Sequence, residues 1–246
     1  MYNDIKNLKE KFKEIKKIGW MKCDKNNFGA IGTTFEKLVG LKTNQFEIPD
    51  FNSIEIKTKS RGKYKQISLF NCVPTGPFYH EIKRIKDLFG YPDSKLKDFN
   101  VFSGEVSCNK KTKIGRNFYF KLNVYNNKKI ITLSIYDIQN NKIEEQTYWD
   151  FDILEEKINR KLTYLALVNV DKKIIGKTVL FKYNSIKFYK LKGFSTFINL
   201  IKDGYIKINF KAGIFRDEKR LGKIHDRGTS FSIDAQNINK LFDCIA

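Results

Sequence analysis

Apolar residues recur at three- and four-residue spacing at Ile5, Leu8, Phe12 and Ile15, with lysines and glutamates between them. That stripe predicts a core-facing opening helix, ended by Gly19. Its wet face mixes both charge signs, unlike a basic membrane-surface helix. Residues 26–32 read as loop, with Gly29 and Gly32 as punctuation. Thr33 or Thr34 is placed to cap a short helix that turns Phe35, Leu38 and Val39 inward and stops at Gly40. Pro49-Asp50 then leads into a strand over 53–58, followed by a strand over 66–73, a break at Pro74 to Pro77, and a helix over 80–89.

Alternating runs at 117–125, 130–137 and 144–149, separated by Asn126-Asn127 and Asn140-Asn141, predict an antiparallel meander. An amphipathic helix over 151–162 precedes an apolar run, 164–170, that suits a central buried strand. A strand near 179–183, a helix over 194–202, a strand over 205–212, a basic loop over 216–228, a strand over 229–233 and a helix over 235–242 complete the pattern. This order predicts a mixed α+β (α/β) fold, neither barrel nor bundle, without internal repeats.

Composition narrows the partners. Lys and Arg total 47 against 27 Asp and Glu, for a formal net charge of +20. Such a field attracts polyanions, nucleic acid first and an anionic membrane surface second. A chain rich in Lys, Asn and Ile also gains charge through composition alone, so the case rests on a site. Four scattered cysteines, no CxxC pair and only two histidines, His80 and His225, speak against a structural zinc site. They fit a reducing, cytoplasmic setting. Residues 1–17 lack the apolar run of a signal peptide, and no apolar stretch is long enough to span a bilayer.

The stretch Pro49-Asp50-Phe51-Asn52-Ser53-Ile54-Glu55-Ile56-Lys57 holds candidate chemistry. Side chains alternate across a strand, so Ile54 and Ile56 face the core while Glu55 and Lys57 face the other way. Asp50 adds a second carboxylate at the adjoining turn. Two carboxylates suit a hard cation such as Mg²⁺, which polarises a phosphate and lowers the pKa of a bound water. A neighbouring lysine can orient that water and offset developing charge. Glu36, on the short helix upstream, is placed to reach the same site as an outer ligand or base. By pattern alone, an ordinary edge strand with solvated Glu and Lys reads the same way.

The run 32–36 (Gly-Thr-Thr-Phe-Glu), Pro49-Asp50 and 53–58 (Ser-Ile-Glu-Ile-Lys-Thr) resembles the MvaI/BcnI family of type II restriction endonucleases. These are PD-(D/E)XK nucleases related to the mismatch-repair nickase MutH. Residues 148–152, 161–164, 183–185 and 222–231 continue the resemblance in order and spacing, over essentially the whole chain. It implies a restriction-endonuclease-like core, a mixed sheet flanked by helices, with a smaller α+β recognition lobe. Expected bounds are 1–170 for the catalytic lobe and 171–246 for the recognition lobe. It implies a monomer that grips double-stranded DNA and cuts short pseudo-palindromic sites of the CCWGG or CCSGG kind. Mg²⁺ is the implied cofactor, Asp50 and Glu55 its ligands, and Asp50, Glu55, Lys57 and Glu36 the catalytic set. A protective DNA methyltransferase is expected in the same cell. A MutH-like nickase and a non-catalytic DNA binder are the alternatives.

For recognition, the family's run carries over to His225, Asp226, Gly228 and Thr229, with Arg227 where the family has a second histidine. Only seven of the 47 basic residues are arginines, and Arg216, Arg220 and Arg227 fall in one loop with Lys223. Arginine reads guanine O6 and N7 bidentately, which lysine does less well. His80 is expected to approach DNA from elsewhere. Arg61 and Lys63, just after the catalytic strand, are expected on backbone phosphates.

Overall fold

A computed structural model describes residues 1–23, 29–41, 48–60, 66–176 and 178–246. The chain folds as two compact units, both discontinuous in sequence. The first comprises 1–67, 157–193 and 238–246; the second comprises 68–156 and 194–237. Residue 170, where the sequence suggests a lobe boundary, lies inside the strand Tyr164–Ile175 of the first unit.

The first unit is built on a mixed sheet in the order Met21–Lys22, Thr178–Leu191, Tyr164–Ile175, Ile54–Ser60, with Phe242–Cys244 also on Thr178–Leu191. Tyr164–Ile175 runs parallel to Ile54–Ser60, pairing Leu165 with Glu55 and Leu167 with Lys57. A parallel pair needs a crossover, and here the chain returns along the helix Phe151–Leu162. One sheet face, carrying Ile54, Ile56, Ala166, Val168, Val170 and Tyr183, joins a core with Leu8, Phe12 and Ile15 of the opening helix Tyr2–Lys17. The predicted stripe therefore packs as expected.

The second helix, Ala30–Val39, starts earlier than its threonines suggest. Thr33 and Thr34 do not cap it; their hydroxyls donate to the carbonyls of Gly29 (3.2 Å) and Ala30 (2.8 Å). Ile31, Phe35 and Val39, four residues apart, form the buried stripe, and Leu38 is exposed. Gly40 ends the helix at φ 92°, the left-handed conformation glycine adopts most easily. The Tyr183 hydroxyl donates to the carbonyl of Ile31 at 2.7 Å, fixing this helix to the sheet.

The strand expected near 179–183 is much longer, Thr178–Leu191. Asn184 is the extra residue of a bulge in this strand, between the pairs Asn169–Ser185 and Val170–Tyr183, and Asn169 Nδ2 donates to Ser185 Oγ at 3.0 Å.

The second unit holds two sheets. The predicted meander is there, in the order Tyr148–Asp150, Ile130–Tyr136, Phe118–Tyr125, Thr112–Ile114. The other sheet runs Gln66–Asn71, Ser230–Asp234, Ile206–Ile214, Asn100–Val106, Tyr91–Pro92, with Ile224–Asp226 hairpinned onto Ile206–Ile214. Phe102, Phe120, Trp149, Phe210 and Phe231 make an aromatic core, and the Trp149 indole donates to the carbonyl of Cys72 at 3.0 Å. Among the described residues no helix is long and apolar enough to cross a membrane.

Candidate active site

Asp50 opens a tight turn closed by the Phe51–Ile54 bridge, in which Asn52 takes a left-handed φ of 51°. Asp4 of the opening helix ties this turn down, accepting from Asn52 Nδ2 and Ser53 Oγ, each at 2.9 Å. The turn brings Asp50 back over the strand, where its Oδ2 accepts the backbone N–H of Ile56 at 2.8 Å. One carboxylate is thus anchored beside the alternating pair Glu55 and Lys57.

Glu55 is 1% exposed. Its strand partner Leu165 and the adjacent Leu167 are buried, so the carboxylate sits among apolar neighbours. Oε1 accepts from Lys57 Nζ at 2.5 Å and lies 3.6 Å from Lys161 Nζ, near the end of the Phe151–Leu162 helix. Oε2 is buried and has no hydrogen-bond partner among the described residues. Burial pushes the Glu55 carboxyl above its ordinary pKa, and Asp50 adds to the rise while Lys57 and Lys161 oppose it. Glu36 is raised in the same way, by burial first and then by Asp50, against Lys57 and Lys161.

Glu36 and Glu55 therefore both feel Asp50, Lys57 and Lys161. Lys161 was not singled out by pattern. It comes from a distant helix, and only its place in the 161–164 run marked it.

A divalent cation fits this set. Two carboxylates are held close, one presents a buried oxygen without a partner, and the site disfavours bare negative charge. Among the described residues no group of three or more His, Cys, Asp or Glu side chains is arranged to hold a metal. Mg²⁺ does not demand one, because it keeps several waters and binds through one or two carboxylates.

The second unit holds the remaining candidates except two: Arg61 and Lys63 lie outside the described residues. His80 precedes the helix Glu81–Phe89 and is exposed, edge-on to Tyr79 at 4.6 Å. It shares a hollow of about 180 Å³ with Ile224 and Asp226, so the fold brings it to the 224–227 hairpin. Arg216 and Arg227 line a hollow of about 440 Å³ with Lys211 and Ser103. Arg216 Nη2 donates to Asp93 Oδ2 at 2.6 Å, and with the N–H groups of Lys95 and Leu96 it holds the Asp93 carboxyl down at about 2.

Arg220 is held elsewhere. It grips Asp217, Nη2 to Oδ2 at 2.8 Å, and lies over the Phe215 ring at 3.7 Å. Lys223 is exposed and lines a third hollow, with Lys83 and Asp98. Asp226 Oδ1 accepts the N–H of Gly228, whose φ of 98° and closeness to Asn71 require glycine. Thr229 is 1% exposed, and its carbonyl accepts the N–H of Cys72. It shapes the strand start and does not present its side chain on the surface, in contrast to the expected DNA contact.

The model of the MvaI/BcnI restriction endonuclease family matches residues 9–242. A solved structure of restriction endonuclease MvaI in complex with its cognate DNA substrate has 28% identity and a TM-score of 0.92, covering 100% of this chain and 98% of that one. A structure of MvaI without DNA has the same identity and coverage, with a TM-score of 0.64. No curated protein sequence matches the chain. The family match spans nearly the whole chain, and the chain belongs to the MvaI/BcnI restriction endonuclease family.

Proposed function

We propose that this restriction endonuclease cleaves double-stranded DNA at a short pseudo-palindromic site of the CCWGG or CCSGG kind, by Mg²⁺-dependent hydrolysis centred on Asp50, Glu55 and Lys57. One observation carries the reading: a buried Glu55 oxygen without a partner among the described residues, beside Asp50 and two lysines. A bound Mg²⁺ supplies Lewis-acid polarisation of the scissile phosphate and a more acidic water.

The protein's own groups do the rest. Asp50 and Glu55 would hold the cation, Glu55 offering the Oε2 that has no partner among the described residues. Lys57 orients the attacking water and offsets charge on the phosphorane-like transition state. Glu36 is the candidate base that accepts a proton from the attacking water. Lys161 shares the charge of Glu55 Oε1 and frees Lys57 to move toward substrate. Water adds to phosphorus as one P–O bond to deoxyribose breaks, and the leaving oxygen takes a proton from solvent.

Residues of the second unit read the DNA. Arg227, Arg216, His80, His225 and Asp226 are the base-edge candidates, and Lys223, Arg61 and Lys63 contact phosphates. The catalytic role is assigned to the first compact unit and the recognition role to the second, which carries the 224–227 hairpin. The enzyme acts as a monomer in the cytoplasm, beside a methyltransferase that protects the host's own sites.

The test is incubation of purified protein with supercoiled plasmids carrying CCWGG and CCSGG, with Mg²⁺ or with EDTA, followed by end mapping. Discrete Mg²⁺-dependent fragments support the proposal. Nicked circles alone would point to a nickase, and no cleavage of either plasmid would refute it.

A further inference from the structure

The hairpin that carries His225 contains a feature that base reading alone does not require. His225 pairs with Gly213 across the hairpin, and its imidazole stacks on the Phe215 ring, centroids 4.3 Å apart and planes 11° from parallel. The Arg220 guanidinium lies over the same phenyl ring at 3.7 Å. Arg220 is itself fixed, its Nε reaching both oxygens of Asp217 at 3.2 and 3.1 Å and its Nη2 reaching Oδ2 at 2.8 Å. Backbone bonds close the loop: Phe215 N–H to Lys223 carbonyl at 2.9 Å and Gly222 N–H to Phe215 carbonyl at 3.1 Å. Gly222, at φ 75°, packs so tightly on Phe99 that a Cβ would lie 2.1 Å from the ring.

We infer that Phe215 and Arg220 are positioning residues for His225, setting the plane of its imidazole before DNA arrives. The χ2 torsion of histidine is broad, so an unsupported ring on a hairpin points its nitrogens in many directions. Both nitrogens lie in the ring plane. A face-to-face stack covers the face and leaves that edge open, which is the geometry a hydrogen bond to a base edge needs. A cation over an aromatic face is attracted by the ring quadrupole, so Arg220 stiffens Phe215. The Arg220 guanidinium is engaged by Asp217 and Phe215. The inference rests on the proposal that His225 contacts bases, and the two are separable.

The experiment combines two readouts on the full chain and its Phe215→Leu, Phe215→Tyr and His225→Ala variants. Imidazole C–H proton signals report the stack. They are expected upfield in the parent and in Phe215→Tyr, and near ordinary histidine positions in Phe215→Leu. Equilibrium binding to duplexes carrying CCWGG, CCSGG and their single-pair variants reports discrimination. Phe215→Leu and His225→Ala are each expected to lower discrimination by about fivefold or more, while Phe215→Tyr retains it. If His225→Ala loses discrimination while Phe215→Leu keeps it, or if the parent's imidazole signals are not upfield, the positioning role is refuted. If His225→Ala keeps discrimination, or the parent shows none, the base-reading premise fails and the inference falls with it.

Discussion

A carboxylate removed from water costs several kcal/mol unless opposite charge answers it, and among the described residues Glu55 is answered on one oxygen only. Its pKa is raised by burial, so protonating it favours the metal-free folded state over the unfolded chain. That part of the stability grows as pH falls through the raised value and is lost as pH climbs above it. Glu55→Gln, which keeps the shape and cannot ionise, should therefore raise the melting temperature of the metal-free protein at neutral pH. The same change should lower cleavage by roughly 100-fold or more. A variant that melts lower yet cleaves normally would contradict both halves. Cation binding should also release protons at and below the raised pKa, and cease to do so at higher pH. Calorimetry of Mg²⁺ binding in buffers of different ionisation enthalpy reads this directly; a proton count that stays flat with pH would count against it.

Pro49 to Lys57 was legible because strand alternation separates Ile54 and Ile56 from Glu55 and Lys57, and the fold keeps that separation. Lys161 was not legible as a site residue because a cation on a helix face carries no mark of which carboxylate it will meet. Nor was the commitment of Arg216 to Asp93, since a pair so distant in sequence is set by the sheet, not by spacing.

Among the elements, periodicity succeeded where one face is clearly apolar, as in Tyr2–Lys17 and the meander, and failed where polar residues are used internally. Asn184 is a bulge residue inside a long strand, and Asn100–Val106 alternates too weakly to be marked. The predicted strand over 144–149 is in fact broken, with Lys142–Glu144 and Tyr148–Asp150 either side of Glu145. Glu145 Oε1 accepts from Asn123, Tyr125, Thr132 and Ser134, while Oε2 takes Lys142. These donors hold its carboxyl down at about 2 against burial. Glu145→Gln should cost about 1–2 kcal/mol at neutral pH, allowing for partial solvent exposure. The folded pKa is depressed, so the difference from the parent should be full above the ordinary value of 4.5 and vanish as pH falls toward about 2. Denaturant melts across that window provide the check, and a difference that persists unchanged at low pH would contradict it.

At the scale of the whole molecule, the chain crosses between its two units repeatedly, so no single cut separates one unit from the other. A linear pattern cannot reveal that, because closing strands such as Phe242–Cys244 return to a sheet begun far earlier. The net charge of +20 gives the molecule its reach for DNA. Binding should weaken steeply with salt, by roughly 10³-fold or more between 50 and 200 mM if about six phosphates are contacted. A salt-independent affinity would leave the charge without that role.

The central claim is that Asp50, Glu55 and Lys57 form a metal-dependent centre for DNA hydrolysis. The most direct measurement compares the parent with Lys57→Ala on one plasmid that the parent cuts, with Mg²⁺ present and binding measured alongside. Cleavage lost by roughly 100-fold or more, with site-specific binding retained, is the predicted result. Cleavage at the parent's rate by Lys57→Ala would place the chemistry elsewhere in the molecule.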